Sequence, residues 1–195
     1  MYSLRQITPP EFEPLSLTEA KKHLRVDVND DDALIWEYLK AARRELENKN
    51  SLAFMTQTWE LLLDDFPCDG ESIIIADKRP LQSVTSIKYI DIAGVEQTLS
   101  SAKYTVHKSG IEGEIALAYN EVWPSVRCQR NAVTVRFVAG YSSDAEDIPD
   151  HCKQALRLVL GHYYENREDT IVGTAMNHIP AGAAALMASE KLWGV

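Results

Sequence analysis

The residues of this chain with side chains suited to chemistry are five histidines, three cysteines and 29 carboxylates, spread over 195 positions. His23, His107, His151, His162 and His178 are scattered over several predicted elements. His162 and Glu165 stand three apart on one predicted helix, a spacing at which two ligands face the same way, but no third or fourth ligand can be assigned to complete a zinc or manganese site. The pair reads most simply as a helix-surface contact. Cys68, Cys128 and Cys152 are too few and too scattered for a disulfide framework or a C-x-x-C knuckle, and read as reduced thiols. Cys152 lies on the apolar stripe of a predicted helix, which suits a small core residue better than a nucleophile. The phosphate-binding loop, the G-x-G-x-x-G fingerprint, H-E-x-x-H and G-x-S-x-G are all missing from the sequence. No catalytic, cofactor-binding or metal-ligating residue is assigned, and no cofactor is expected.

The acids are distributed unevenly. Eight of the 29 occupy two segments without a base, Asp27 to Asp32 and Asp144 to Asp150, each just ahead of a strong predicted helix. The first resembles a calcium loop only in its density of aspartates, since the central Gly and final Glu of an EF-hand are missing. Carboxylates there complement the positive end of the following helix. With 20 Lys and Arg the formal net charge is -9, which excludes a simple nucleic-acid binder because phosphate affinity needs clustered bases. No apolar run approaches the roughly 20 residues that cross a bilayer. Met1 to Pro14 lacks the basic and apolar regions of a secretory signal, so the expected setting is cytoplasmic.

These side chains are carried by helices flanking a block of strands. Ser16-Leu17-Thr18-Glu19 has the spacing of a capping box and predicts a short helix to about Leu24. A second helix from Asp31 to Asn48 follows, with Leu34, Tyr38, Ala42 and Leu46 forming an apolar stripe that Ile35 and Leu39 widen. Its other side is assigned Glu37, Lys40, Arg43, Arg44 and Glu47 as a solvated face with local ion pairs. Strands are predicted at Trp59 to Leu63, Ile73 to Ile75, Thr85 to Tyr89, Val95 to Leu99, Tyr104 to Val106 and Glu114 to Ala118, with a hairpin tip at Ala93-Gly94. The clearest is Val133, Val135, Phe137 and Ala139 alternating with Thr134 and Arg136. Pro149 opens a third helix, to Glu168, with a stripe at Cys152, Ala155, Leu156, Val159, Leu160, Tyr163 and Tyr164. Gly161 within it suggests close approach by another backbone. A final Ala-rich helix follows Pro180, with Leu186-Met187 and Leu192-Trp193 at its end. The pattern is α+β: one domain over residues 1–195, with a helical part at 14–50 and 149–195 and an antiparallel β insertion at about 56–140.

The ordered set of short motifs is similar to the head-to-tail connector (adaptor, neck) family of tailed bacteriophages, prophages and gene transfer agents. The residues that carry the resemblance begin with Pro14 to Lys21, His23 to Asp27, Asp31 to Ile35, and Ala41-Ala42-Arg43 with Glu45. They continue through Thr56 to Trp59, Phe66-Pro67, Pro80 to Val84 and Ile87-Lys88-Tyr89. The last are Trp123-Pro124, Val135 to Tyr141, Ile148-Pro149 and Tyr163 to Glu168. Together they cover most of residues 14 to 180.

The resemblance implies a small helical bundle with an inserted antiparallel β subdomain, and a structural virion protein without catalytic residues. Copies would form a ring of about a dozen beneath the portal protein, a closed head-to-tail arrangement. The ring would extend the DNA channel, let DNA pass without specific binding, and offer a platform to a stopper or tail-completion protein. Its place would be the virion neck, assembled in the host cytoplasm without membrane contact. Candidate subunit contacts are Glu37, Lys40, Arg43, Arg44, Arg157 and Arg167, where charge sets register more than affinity. Candidate portal-docking residues are Met187, Leu192 and Trp193, with removal of Pro180 to Val195 expected to leave a folded monomer. A tail-completion or other neck protein is the second reading, and a small metal-dependent hydrolase the third.

Overall fold

The computed structural model describes residues 2–108, 112–167 and 180–190. The chain divides into two compact units, Met1–Glu11 with Thr56–Tyr141 and Phe12–Met55 with Ser142–Val195. One is built of strands and the other of helices. Helices segregated from antiparallel sheets make the class α+β.

In the β unit, strands β1 (Tyr2–Thr8), β2 (Gln57–Leu63), β4 (Leu81–Ile90), β5 (Glu96–Thr98) and β8 (Val133–Ala139) form a sheet of order β1-β2-β8-β4-β5. Strands β3 (Ile73–Ile75), β6 (Tyr104–His107) and β7 (Gly113–Leu117) form a second sheet, β3-β7-β6. All named pairings are antiparallel. The alternation expected of β8 is realised: Val133, Val135, Phe137 and Ala139 are buried and Arg136 is exposed. Register sets Leu61 and Ile87 on either side of Val135, and Trp59 and Val84 on either side of Phe137. At the β4–β5 hairpin, Gly94 takes φ +85°, which a side chain would strain. The Asp91 carboxylate accepts from Val95 N and from Gln97 Nε2, both at 2.9 Å, and the Val95 N–H above all holds its pKa below the ordinary value.

Strand β1 is an element the sequence reading left unassigned. Its positions are exposed except for half-buried Leu4, so the alternation carries almost no apolar signal. Cross-strand pairing to β2 places it instead, with Arg5 opposite Glu60 and Leu4 opposite Leu61.

The helical unit contains α1 (Leu17–Leu24), α2 (Asp32–Asn50), α3 (Asp150–Glu165) and α4 (Ala181–Leu186), the last running into a 3-10 turn at Met187–Glu190. The capping box at α1 is complete: Glu19 N donates to Ser16 Oγ at 3.2 Å and Ser16 N donates to Glu19 Oε2 at 2.8 Å. The Ser16 backbone N–H is the main cause that lowers the Glu19 pKa. Helices α1 and α2 end on left-handed, non-glycine residues, Arg25 at φ 58° and Ser51 at φ 54°. The last turn of α2 therefore extends past the Asn48 expected. Helix α3 stops at Glu165, short of the expected Glu168, with Asn166 Nδ2 donating to His162 O at 3.0 Å.

Helices α2, α3 and α4 pack together, burying Ile35, Leu39, Ala42 and Leu46 of α2 and Cys152, Ala155, Leu156, Val159 and Leu160 of α3. Each fully buried leucine or isoleucine contributes about 1.5–3 kcal/mol of burial free energy. Within the chain, Gly161 does not meet another backbone. A Cβ there would meet the His23 imidazole, whose Nε2 is at 3.6 Å, an ordinary contact. The close approach belongs to Gly113, where a Cβ would come within 2.7 Å of Leu81 Cβ.

Candidate functional site

The charged residues singled out on α2 and α3 separate by what surrounds them. Arg43 was expected on the outer side of α2 but is 3% exposed. The correction follows from helical geometry: position 43 is four after Leu39 and three before Leu46, so it shares their inward face. Its guanidinium donates to Glu13 through Nε at 2.6 Å and Nη2 at 3.1 Å, and to Glu47 Oε2 through Nη1 at 2.7 Å. Glu47, also expected outside, is buried too, and its second oxygen accepts from Phe54 N at 2.8 Å. Burial pulls the Arg43 pKa down, but the hydrogen bond to Glu13 and the two carboxylate charges outweigh it and the net shift is upward. Arg43 thus ties the segment before α1, and the turn after α2, to the middle of α2.

Other motif residues converge on the pairing of α2 with α3. The Tyr163 hydroxyl donates to Glu45 Oε2, and its ring lies 6.2 Å from that of Tyr38. Burial, then the Glu45 carboxylate, raises the Tyr163 pKa well above the ordinary tyrosine value. Tyr164 donates to Asp31 Oδ2 at 2.7 Å, and Arg167 reaches the same oxygen at 3.2 Å while lying over the Tyr164 ring. Asp31 precedes α2 but makes no side-chain cap bond there; its carboxylate is engaged by Tyr164 and Arg167 instead. Asp32 pairs with Lys21 at 2.6 Å. Bases absent from the local sequence are supplied by other elements.

In the β unit, Glu60 is 2% exposed and lies between two arginines on neighbouring strands. Arg136 donates to Oε1 at 2.9 Å and 2.6 Å, and Arg5 donates to Oε2. Desolvation raises the Glu60 pKa, yet the hydrogen bonds and charges of Arg5 and Arg136 prevail and lower it overall. Phe66 and Trp123, distant motif residues, stack at 4.8 Å with planes 6° apart, and Trp123 Nε1 donates to Glu71 O at 3.0 Å. A groove of about 420 Å³ in this unit is lined largely by apolar residues, including Leu4, Leu61, Ile73 and Ile75.

Among the remaining candidates, Glu37 and Arg44 are exposed and Lys40 is half-buried. Arg157 is half-buried, and its charge helps to lower the Glu19 pKa. Met187 is 1% exposed, so its side chain is a core group of the helical unit rather than a presented docking residue. Leu192 and Trp193 lie outside the described residues. His162 and Glu165 gather no metal-ligating cluster among the described residues; the cluster that does form is His151, Cys152 and Glu190. The exposed apolar residues Ile92 and Val95 at the β4–β5 tip, and Tyr119 and Val122 in the loop between β7 and β8, are absent from the sequence-based candidates. Their only sequence signal was an apolar side chain in a turn.

Residues 14–109 match the family model described as phage gp6-like head-tail connector protein. They include the capping box, the segment after Glu13, Arg43 and strands β2 to β6 of the β unit. The chain is similar to the head-to-tail connector family over that segment. Its role is that of a structural connector. Among solved structures, the connector is similar to a chain titled "Neck of empty GTA particle computed with C6 symmetry", at 25% identity and TM-score 0.83, covering 99% of this chain and 97% of that one. A chain of the "Virion of native gene transfer agent (GTA) particle" matches at 25% identity and TM-score 0.82, covering 98% and 96%. A third, from "Neck of native GTA particle computed with C12 symmetry", matches at 25% identity and TM-score 0.80, covering 99% and 97%. No curated protein matches the chain.

Proposed function

We propose that this connector assembles as a ring of about a dozen copies in the virion neck, extending the DNA channel beneath the portal and offering a platform to a stopper or tail-completion protein. The observation that carries the reading is likeness over 99% of the chain to a chain from the neck of a GTA particle computed with C12 symmetry. The net charge of -9 supports it, since an acidic wall repels packaged DNA and lets it slide, whereas a basic one would grip phosphates. Glu37, Lys40 and Arg44 on the outer side of α2 are the side chains offered to a neighbouring copy. Half-buried Arg157 and the half-exposed Arg167, which also pairs with Asp31, are offered with them, whereas buried Arg43 is spent within the chain.

Docking on the portal is assigned to the C-terminal residues Leu192 and Trp193. Its test has to spare α4 and the turn after it, because Ala183 and Met187 are buried. Removing Pro180 to Val195, as the sequence suggested, would uncover the core. The suitable truncation removes residues 191–195 only. It should abolish portal binding while preserving the thermal transition; unchanged binding overturns the docking assignment.

Electron microscopy of the purified chain, alone and mixed with portal, tests the main reading. Portal-bound rings are expected. A chain that stays monomeric beside portal, or that attaches to isolated tails instead, contradicts it.

A further inference from the structure

His151 and Cys152 are the second and third residues of α3, and Glu190 ends the 3-10 turn after α4. One ligand atom from each lies within 4.8 Å of the others. His151 Nε2 and Glu190 Oε1 are 2.9 Å apart, with their side chains 33% and 24% exposed, while Cys152 is fully buried. The sulfur thus sits at the closed end of the cluster and the two solvent-reachable ligands at its open end. Nothing in the connector role requires this combination.

We infer that His151, Cys152 and Glu190 form a binding site for a zinc-class divalent cation, which ties the Met187–Glu190 turn to the first turn of α3. The donor set points to that class. Thiolate and imidazole are the ligands of zinc and its neighbours, whereas calcium and magnesium take oxygen donors. Bonds of about 2.0–2.3 Å to a tetrahedral ion put ligand atoms roughly 3.3–3.8 Å apart. With all three ligand atoms already within 4.8 Å of one another, the cluster needs only small adjustments, and the rotatable Glu190 side chain can supply the slight opening of the 2.9 Å imidazole–carboxylate pair. Three protein ligands leave the fourth position to water. On binding, the Cys152 thiol gives its proton to solvent and the thiolate supplies the electron pair for the metal–sulfur bond.

The test uses the full chain, stripped of metal and kept reduced, titrated with Co²⁺ and then with Zn²⁺. One Co²⁺ per chain should produce a thiolate-to-cobalt charge-transfer band with tetrahedral visible bands, and Zn²⁺ should displace it. Cys152→Ser should abolish the band. Even substitutions behind the ligands weaken metal binding by about 10–100-fold, so His151→Gln and Glu190→Gln should each weaken it by at least about tenfold. The double variant Cys68→Ser/Cys128→Ser, which removes the two exposed thiols, should retain the band. Absence of the band overturns the inference, as does a band that survives Cys152→Ser or disappears with the exposed thiols. Because Cys152 is buried, its variant alone is not decisive: unchanged affinity in both His151→Gln and Glu190→Gln overturns the site even if Cys152→Ser fails to fold. Ring formation on the portal is a separate readout, so the two proposals fail independently.

Discussion

Replacing Arg43 by methionine tests the most consequential correction made by the structure. The substitution keeps the length and apolar stem of the side chain but leaves Glu13 and Glu47 facing each other without their shared cation. Their side chains are 7% and 4% exposed, so water cannot take over the lost interactions. Removing one partner from a buried ion cluster costs about 3–5 kcal/mol, mainly because the remaining charge is stranded. With a urea dependence of about 2 kcal/mol per M, the midpoint should fall by roughly 2 M with little change in slope. Equilibrium unfolding followed by far-ultraviolet circular dichroism reads this directly. Arg44→Met, one residue along on the exposed side, is the control and should stay within about 0.5 kcal/mol. The triple variant Glu13→Gln/Arg43→Met/Glu47→Gln should recover much of the loss, because no charge is stranded and the new amide at position 47 still offers an oxygen to the Phe54 N–H. If Arg43→Met shifts the midpoint no more than Arg44→Met does, the buried-cluster reasoning is wrong.

Further expectations concern the cap, two glycines and one carboxylate. Ser16→Ala removes the acceptor for the Glu19 N–H and should cost about 1 kcal/mol, read as a lower melting temperature. A Cβ at Gly113 meets the backbone-fixed Leu81 Cβ, so Gly113→Ala should destabilise by about 1–3 kcal/mol. Gly161→Ala should stabilise by up to about 1 kcal/mol, since the new methyl makes an ordinary contact and the helix propensity improves. The same sign for both glycine variants would contradict the stated geometry. Because the folded pKa of Glu60 is lowered, its stabilisation is present above the ordinary carboxylate range and lost as pH falls through the depressed value. Glu60→Gln should therefore be less stable than the parent at neutral pH, with the gap closing in acid; parallel pH–stability curves would contradict that assignment.

Periodicity and local chemistry were legible where one element decides the outcome alone. The capping box at Ser16, the alternating face of β8, the hairpin at Gly94 and the α3 stripe depend on spacings of two to four residues. Local spacing failed where partners came from afar. Strand β1 has little apolar signal and exists through its register with β2. Asp31 reads locally as one more acid complementing a helix start, yet its partners Tyr164 and Arg167 are more than 130 residues away. Arg43 looked like a surface charge because its type outweighed its position, although the position already placed it beside Leu39 and Leu46. Within the chain the close approach falls at Gly113 and not at Gly161, because a glycine's packing reason lies in another segment.

The sequence by itself determined the α+β class, the helix starts, the acidic balance and, through the order of its short motifs, the connector family. Those properties reside in composition, in residue type at fixed spacing and in the sequence of elements along the chain. Only the tertiary structure decided which charges are buried and which stay exposed, because burial depends on what packs above a side chain. It alone brought His151 and Cys152 to Glu190, and Phe66 to Trp123. Contacts between residues this far apart in the chain exist only once the intervening elements have folded and placed them together.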